Sequence, residues 1–123
     1  MVSRQEPINH DMEECIENCT ECHRICLETM EYCLGMGGKH ADAEHIGLLA
    51  DCAHICQTSA DFMIRGSRLH PQVCAACAAV CRRCADDCIA LSGDDVQMQE
   101  CAEQCTICEQ SCAEMAMETW RRS

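Results

Sequence analysis

Long apolar runs are missing from this chain, and with them any segment of the roughly 20 residues that a membrane-spanning helix needs. The opening stretch, Met1 to His10, has neither an apolar h-region nor a twin arginine, so the expected location is the cytosol. Basic residues are few: 9 Lys and Arg stand against 21 Asp and Glu, a formal net charge of −12. That balance argues against nucleic acid and anionic membrane surfaces as partners, and it makes cations the natural ones. No strand pattern is visible. There is no set of nucleophile, base and orienting group, and no cofactor-binding loop, so the sequence does not read as an enzyme.

What the chain has in excess is cysteine, 16 in 123 residues. Cys15, Cys19, Cys22, Cys26 and Cys33 form a first set; Cys52 and Cys56 a second. Cys74, Cys77, Cys81, Cys84 and Cys88 form a third; Cys101, Cys105, Cys108 and Cys112 a fourth. At about 100° per residue, steps of three, four and seven return to one side of an α-helix, so each set falls within an arc of roughly 40–80°. Each helix therefore carries a stripe of thiols where an ordinary bundle carries its core of Leu and Ile.

The turn signals divide the chain into four helices. The first is predicted from about Asp11 to Leu34, ending in Gly35-Met36-Gly37-Gly38. The second runs from Asp42, placed as N-cap, to about Arg65 before Gly66-Ser67. The third opens on Pro71 and reaches about Leu91. The fourth follows Ser92-Gly93-Asp94, where an aspartate is available as cap, and continues to about Trp120. Short connections between helices of this length give an antiparallel up-down-up-down four-helix bundle, and residues 1–123 are expected to form one domain. The second helix also carries Ile46, Leu48, Leu49, Ile55, Phe62, Met63 and Ile64, too many apolar residues to point inward together. The excess predicts a self-association surface.

Cysteine this dense in a short chain usually marks a secreted disulfide scaffold. Such frameworks staple loops of irregular length, whereas these thiols recur with helical period and face one another inside a bundle. Iron–sulfur binding needs cysteines on a loop that wraps the cluster, but Cys19/Cys22 and Cys105/Cys108 lie in mid-helix with no Gly or Pro nearby. Thioredoxin-type Cys-x-x-Cys chemistry needs a helix N-terminus after a strand, which Cys74/Cys77 and Cys81/Cys84 lack.

Soft thiolates select soft ions such as Cu(I), Zn²⁺ or Cd²⁺. Four Zn²⁺ ions in tetrathiolate sites would each leave about two negative charges buried without compensating cations. Cu(I), at about one ion per bridging thiolate, leaves a nearly neutral core, so multiple Cu(I) ions fit best. A Zn- or Cd-sequestering protein of metallothionein-like logic is the second reading, and a disulfide-stapled structural protein the third.

The tandem Cys-x-x-x-Cys-x-x-Cys-x-x-x-Cys stripes, with strings such as Asp51-Cys52-Ala53-His54-Ile55-Cys56 and Cys101-Ala102-Glu103-Gln104-Cys105, resemble the bacterial copper storage proteins over roughly residues 11 to 115. The resemblance implies a four-helix bundle filled with many Cu(I) ions, a homotetramer, and a copper-storage role without catalysis. Family members occur in exported and cytosolic types, and this chain is similar to the cytosolic type. Where some cytosolic relatives carry two further cysteines, this chain has His45 and Met98, which are still copper-competent.

Helix direction gathers Met30, Met36, His40, His45, Asp94 and Met98 at one end of the bundle and Phe62, Met63, Leu69, Val73, Met115 and Trp120 at the other. The second end is predicted to be a closed apolar plug. The first suits a mouth, because thioether and imidazole ligands exchange more readily than thiolates. His45 shares the inward face with Cys52, and Met98 with Cys105. His23 and His54 lie off the stripe and are expected at the surface, while His10 and His70 sit at helix starts as capping or solvated residues.

Overall fold

The computed structural model describes residues 9–118. Four helices follow in chain order: α1 (His10–Met36), α2 (Ala43–Ile64), α3 (His70–Ser92) and α4 (Val96–Ala116), with a 3-10 turn at Gly38–Ala41. None of them is long and apolar enough to cross a membrane. The end predicted for the fourth helix at Trp120 lies outside the described residues.

The helix ends follow from local hydrogen bonding. Asn9 opens α1 by accepting the Met12 N–H on its side chain at 2.8 Å, one of the donors a helix start leaves unsatisfied. Gly37, at φ 72°, closes α1 by returning its N–H to the Cys33 carbonyl at 3.2 Å, and only glycine takes that φ without strain. Pro71 sits in the first turn of α3, where its missing N–H costs nothing. Asp42 does occupy the N-cap position of α2, yet its side chain makes no capping bond; the backbone carbonyl alone starts the helix, accepting from Ile46 at 2.9 Å. The cap of α4 is Asp95, whose carboxylate accepts the Met98 N–H at 3.1 Å.

Each helix packs against two others, α1 on α2 and α4, and α3 on α2 and α4, so the four enclose one channel. Cross-helix sulfur contacts give the antiparallel register directly. Cys15 meets Cys112 and Cys26 meets Cys101 between α1 and α4, while Cys56 meets Cys77 and Cys52 meets Cys81 between α2 and α3. The four-helix bundle read from the thiol stripes is the fold that forms.

All sixteen cysteines are buried and unbridged. Among the described residues, Leu49 is the only buried Leu or Ile. Ile46, Leu48, Ile55 and Phe62 of α2 are half-buried and Ile64 is exposed, so the excess apolar residues of that helix do lie outside the channel. A protonated thiol packs as a small apolar group, so the channel closes without metal.

Asp95 does more than cap α4. Its Oδ2 accepts the Tyr32 hydroxyl at 2.6 Å, tying the last turns of α1 to the start of α4, and His40 Nε2 lies 3.6 Å from the same oxygen. The Tyr32 bond chiefly holds the Asp95 carboxyl below the usual carboxylate range. A depressed folded-state pKa stabilises above the unfolded value and is lost as pH falls through the folded one.

Two outcomes are expected. Circular dichroism of the reduced, metal-free protein shows a helical chain, and metal raises its melting temperature; a disordered apo chain that folds only on loading would contradict this packing. Asp95→Ala lowers stability to denaturant by about 1–2 kcal/mol at neutral pH, and the difference from the parent shrinks in acid as the Asp95 carboxylate protonates.

Candidate metal centre

The stripes converge into a column of sulfur. Cys56 Sγ lies 3.7 Å from Cys77, 3.6 Å from Cys81 and 3.7 Å from Cys108, so one thiol meets partners from two other helices. Cys22 Sγ sits 3.8 Å from both Cys52 and Cys105, and Cys19 lies 3.5 Å from Cys112 and 3.6 Å from Cys108. These separations are well beyond the ~2.05 Å of a disulfide. A thiol with several equidistant partners is arranged for shared coordination, not for pairing.

Four groups of thiols have all their sulfurs within 4.8 Å of one another: Cys19/Cys77/Cys108/Cys112, Cys22/Cys52/Cys56/Cys81, Cys22/Cys26/Cys52/Cys105 and Cys56/Cys77/Cys81/Cys108. Members recur between groups. Cys22 and Cys52 belong to two of them, as do Cys56 and Cys81, and Cys77 and Cys108. The sites are therefore stretches of one continuous network. No Lys or Arg is buried among the described residues, so nothing in the channel offsets thiolate charge.

The ionisation of the thiols shows the same interdependence. Cys22, Cys52 and Cys101 are pushed down, each chiefly by a hydrogen bond with Cys105, while Cys105 is pushed up, first by its bond to Cys101. One thiolate is stabilised by a neighbour that keeps its proton, so the column cannot ionise throughout unless cations enter it. Cys33, at the edge of the network, is pushed up to about 11, chiefly by burial.

Both non-cysteine candidates meet Cys33. His45 Nε2 is 3.3 Å and Met98 Sδ 3.4 Å from its sulfur, and both side chains are buried. His45 Nδ1 lies 2.5 Å from Asp87 Oδ2, an orientation that puts the proton on Nδ1 and the lone pair on Nε2, toward the thiol. Asp87 was not legible as a site residue: it neighbours Cys88 but lies off the thiol stripe. Together with Asp87, the residues Gly38, Lys39, Asp42, Glu44, His45 and Leu91 line an open cleft of about 410 Å³.

The remaining candidates divide. Met36 is exposed, and Met30 and His40 are half-buried at the same end. His54 is exposed as expected, but His23, expected at the surface, is half-buried and donates from Nδ1 to the Ala53 carbonyl at 2.7 Å, joining α1 to α2. His70, read as a cap or a solvated residue, is fully buried. Its spacing of four from Cys74 places it on the thiol face, and Met12 has the same relation to Cys15 at a spacing of three, a signal available from the stripe had it been extended outward.

The geometry is that of a known family. The family model for copper storage proteins matches residues 8–117. A solved protein of Nitrosospira multiformis is 42% identical, superposes with a TM-score of 0.84, and is covered over 99% of its length by 90% of this chain. A Cu(I)-bound copper storage protein of Bacillus subtilis is 32% identical with a TM-score of 0.80, the alignment spanning 87% of this chain and 99% of that one. A cytosolic copper storage protein from Streptomyces lividans, described with five coppers, is 33% identical with a TM-score of 0.79 over 86% of this chain and 92% of that one. With its thiol column, its four-helix frame and a match spanning nearly all of the described residues, this chain belongs to the copper storage protein family.

Proposed function

We propose that the protein is a cytosolic, non-catalytic store for Cu(I), holding many ions on its sixteen cysteines, with His45 and Met98 as further ligands where the ions enter. The observation that carries this reading is the overlap of the thiol groups. Tetrahedral zinc takes four thiolates per ion, so even where neighbouring groups share a cysteine it leaves net negative charge in a channel where no Lys or Arg is buried among the described residues. Cu(I) accepts two or three thiolates and allows each to bridge, so it can use the whole column and leave it near neutral. The Cu(I)-bound relative of Bacillus subtilis and the copper-loaded one of Streptomyces lividans support the choice of metal.

Entry at the His45 end follows from three features. Cys33, His45 and Met98 offer one thiol, one imidazole and one thioether together, a weaker set than the thiol groups within. The cleft lined by His45 and Asp87 opens beside it, and the acidic side chains of Asp42, Glu44 and Asp87 draw cations there. A homo-oligomer, as the resemblance implies, is supported by exposed Leu34, Leu69, Ile89 and Val96 on the outer faces.

Three measurements test this reading. Anaerobic titration of the reduced protein reaches a Cu(I) stoichiometry close to the cysteine count, whereas Zn²⁺ saturates well below that count and fails to displace copper; equal competition by zinc would overturn the copper assignment. Loading releases protons, on the order of one per thiolate engaged, so copper affinity falls as pH falls, which competition with a chelator at several pH values reads directly. Replacing His45→Leu and Met98→Leu together slows both loading and chelator-driven removal severalfold while leaving capacity within a few ions of the parent. Phe62→Leu, at the opposite end, leaves both rates unchanged; slowing by Phe62→Leu alone would put the entrance at the wrong end.

A further inference from the structure

The end of the column opposite His45 is built from soft donors as well. Cys15 Sγ lies 3.7 Å from Cys112 Sγ, and Ser59 Oγ lies 3.3 Å from Cys74 Sγ. One helical turn outward from these four residues stand Met12 on α1, Met115 on α4, Met63 on α2 and His70 on α3. The layer thus takes one side chain from each helix. All four are buried, with exposures of 1%, 2%, 0% and 0% respectively.

Sequence alone predicts an apolar plug here. The structure corrects that: Leu69 is 60% exposed, Phe62 and Val73 are only half-buried, and the layer is closed by thioethers and an imidazole. Packing by itself does not call for them. Leucine would fill the same volume as methionine, and a buried imidazole adds a desolvation cost that an aliphatic side chain avoids. Yet the helices keep their Leu and Ile on the outside, Leu49 excepted, and bury Met12, Met63, Met98 and Met115.

His70 is also set as a ligand would be. Its Nδ1 lies 2.9 Å from the Ser67 carbonyl oxygen, a contact that only an Nδ1–H donor satisfies, so the lone pair is on Nε2. That Nε2 is buried. His45 is held by the same device through Asp87 at the other end, where its Nε2 meets Cys33.

We propose that Met12, Met63, His70 and Met115 form a thiolate-free Cu(I) site that closes the far end of the column. Three thioethers and a neutral imidazole are a soft donor set suited to a monovalent ion of the Cu(I) or Ag(I) class and unsuited to Zn²⁺, which prefers thiolate, imidazole and carboxylate. The donors carry no charge, so the ion keeps its own; thiolates at Cys15, Cys74 and Cys112, one turn inward, offset it. The choice of metal rests on the copper-storage reading, whereas the existence of the site rests on the layer itself.

Selenium-edge X-ray absorption on full-length protein carrying selenomethionine tests the site, in a Met98→Leu background so that the entrance thioether is silent. After Cu(I) loading, the spectrum gains a copper neighbour at direct-bonding distance. The further changes Met12→Leu, Met63→Leu and Met115→Leu, which conserve volume and keep the helical circular dichroism, abolish that neighbour and lower capacity by about one ion. Selenium with carbon neighbours only, in a protein whose thiols have bound copper, would overturn the site while leaving the storage reading intact. A copper neighbour that survives the three further changes would overturn it too, because methionines outside the layer would then be the ligands. Thiolate-to-copper charge-transfer absorption, recorded on the same samples, reports the column separately: its failure to appear counts against the storage reading, and the selenium spectrum still decides the far-end site.

Discussion

Sulfur against sulfur is the contact on which this bundle depends. Four helices meet chiefly through short cysteine side chains, at separations of 3.5–4.0 Å between thiols, and those contacts set the register of α1 against α4 and of α2 against α3. A core of this kind buries less apolar area per residue than one of leucine, so part of the stabilisation a bundle normally draws from burial is given up for donor atoms. The loss is offset at the edges. Half-buried Ile16, Ile25, Ile46, Ile55 and Val80 pack against the column from outside, and polar ties such as Asn18 to Ser111 and Gln97 to Thr29 join α1 to α4.

Most of the frame was legible because two independent periodicities agreed. Cysteine spacing gave the inward faces, and Gly35 to Gly38, Gly66 and Gly93 gave the breaks, so helix number and direction followed. The end of each helix was less legible. Asp42 sits where a cap belongs but does not bond as one, and Asp95, not the neighbouring Asp94, makes the capping bond to Met98. Adjacent aspartates are chemically alike in sequence and differ only in the backbone angles of the turn.

The site was legible along the helices and illegible across them. Helical spacing placed Cys33, His45 and Met98 on inward faces, but their common meeting point depends on the stagger between α1, α2 and α4, which no single-helix pattern contains. Asp87 is the clearest case. It lies off the thiol face of α3, exposes about a third of its side chain, and still orients His45 on another helix. The opposite end was legible in part: the sequence places Met63 and Met115 in the closed end, and both are buried, whereas His70, read as a capping or solvated residue, and Met12, which the stripe was not extended to reach, are buried as well.

The sharing of Cys22, Cys52, Cys56, Cys77, Cys81 and Cys108 between thiol groups changes what a partly filled protein is. An ion lodged in one group takes donors from the next, so occupancy cannot advance by filling separate compartments in turn. Intermediate loading is a set of interconverting clusters along one track, each ion moving by exchanging one thiolate for a neighbour less than 4 Å away. Such exchange would let ions redistribute along the track without the bundle opening, so the spacing of the thiols favours a store whose contents rearrange as it fills.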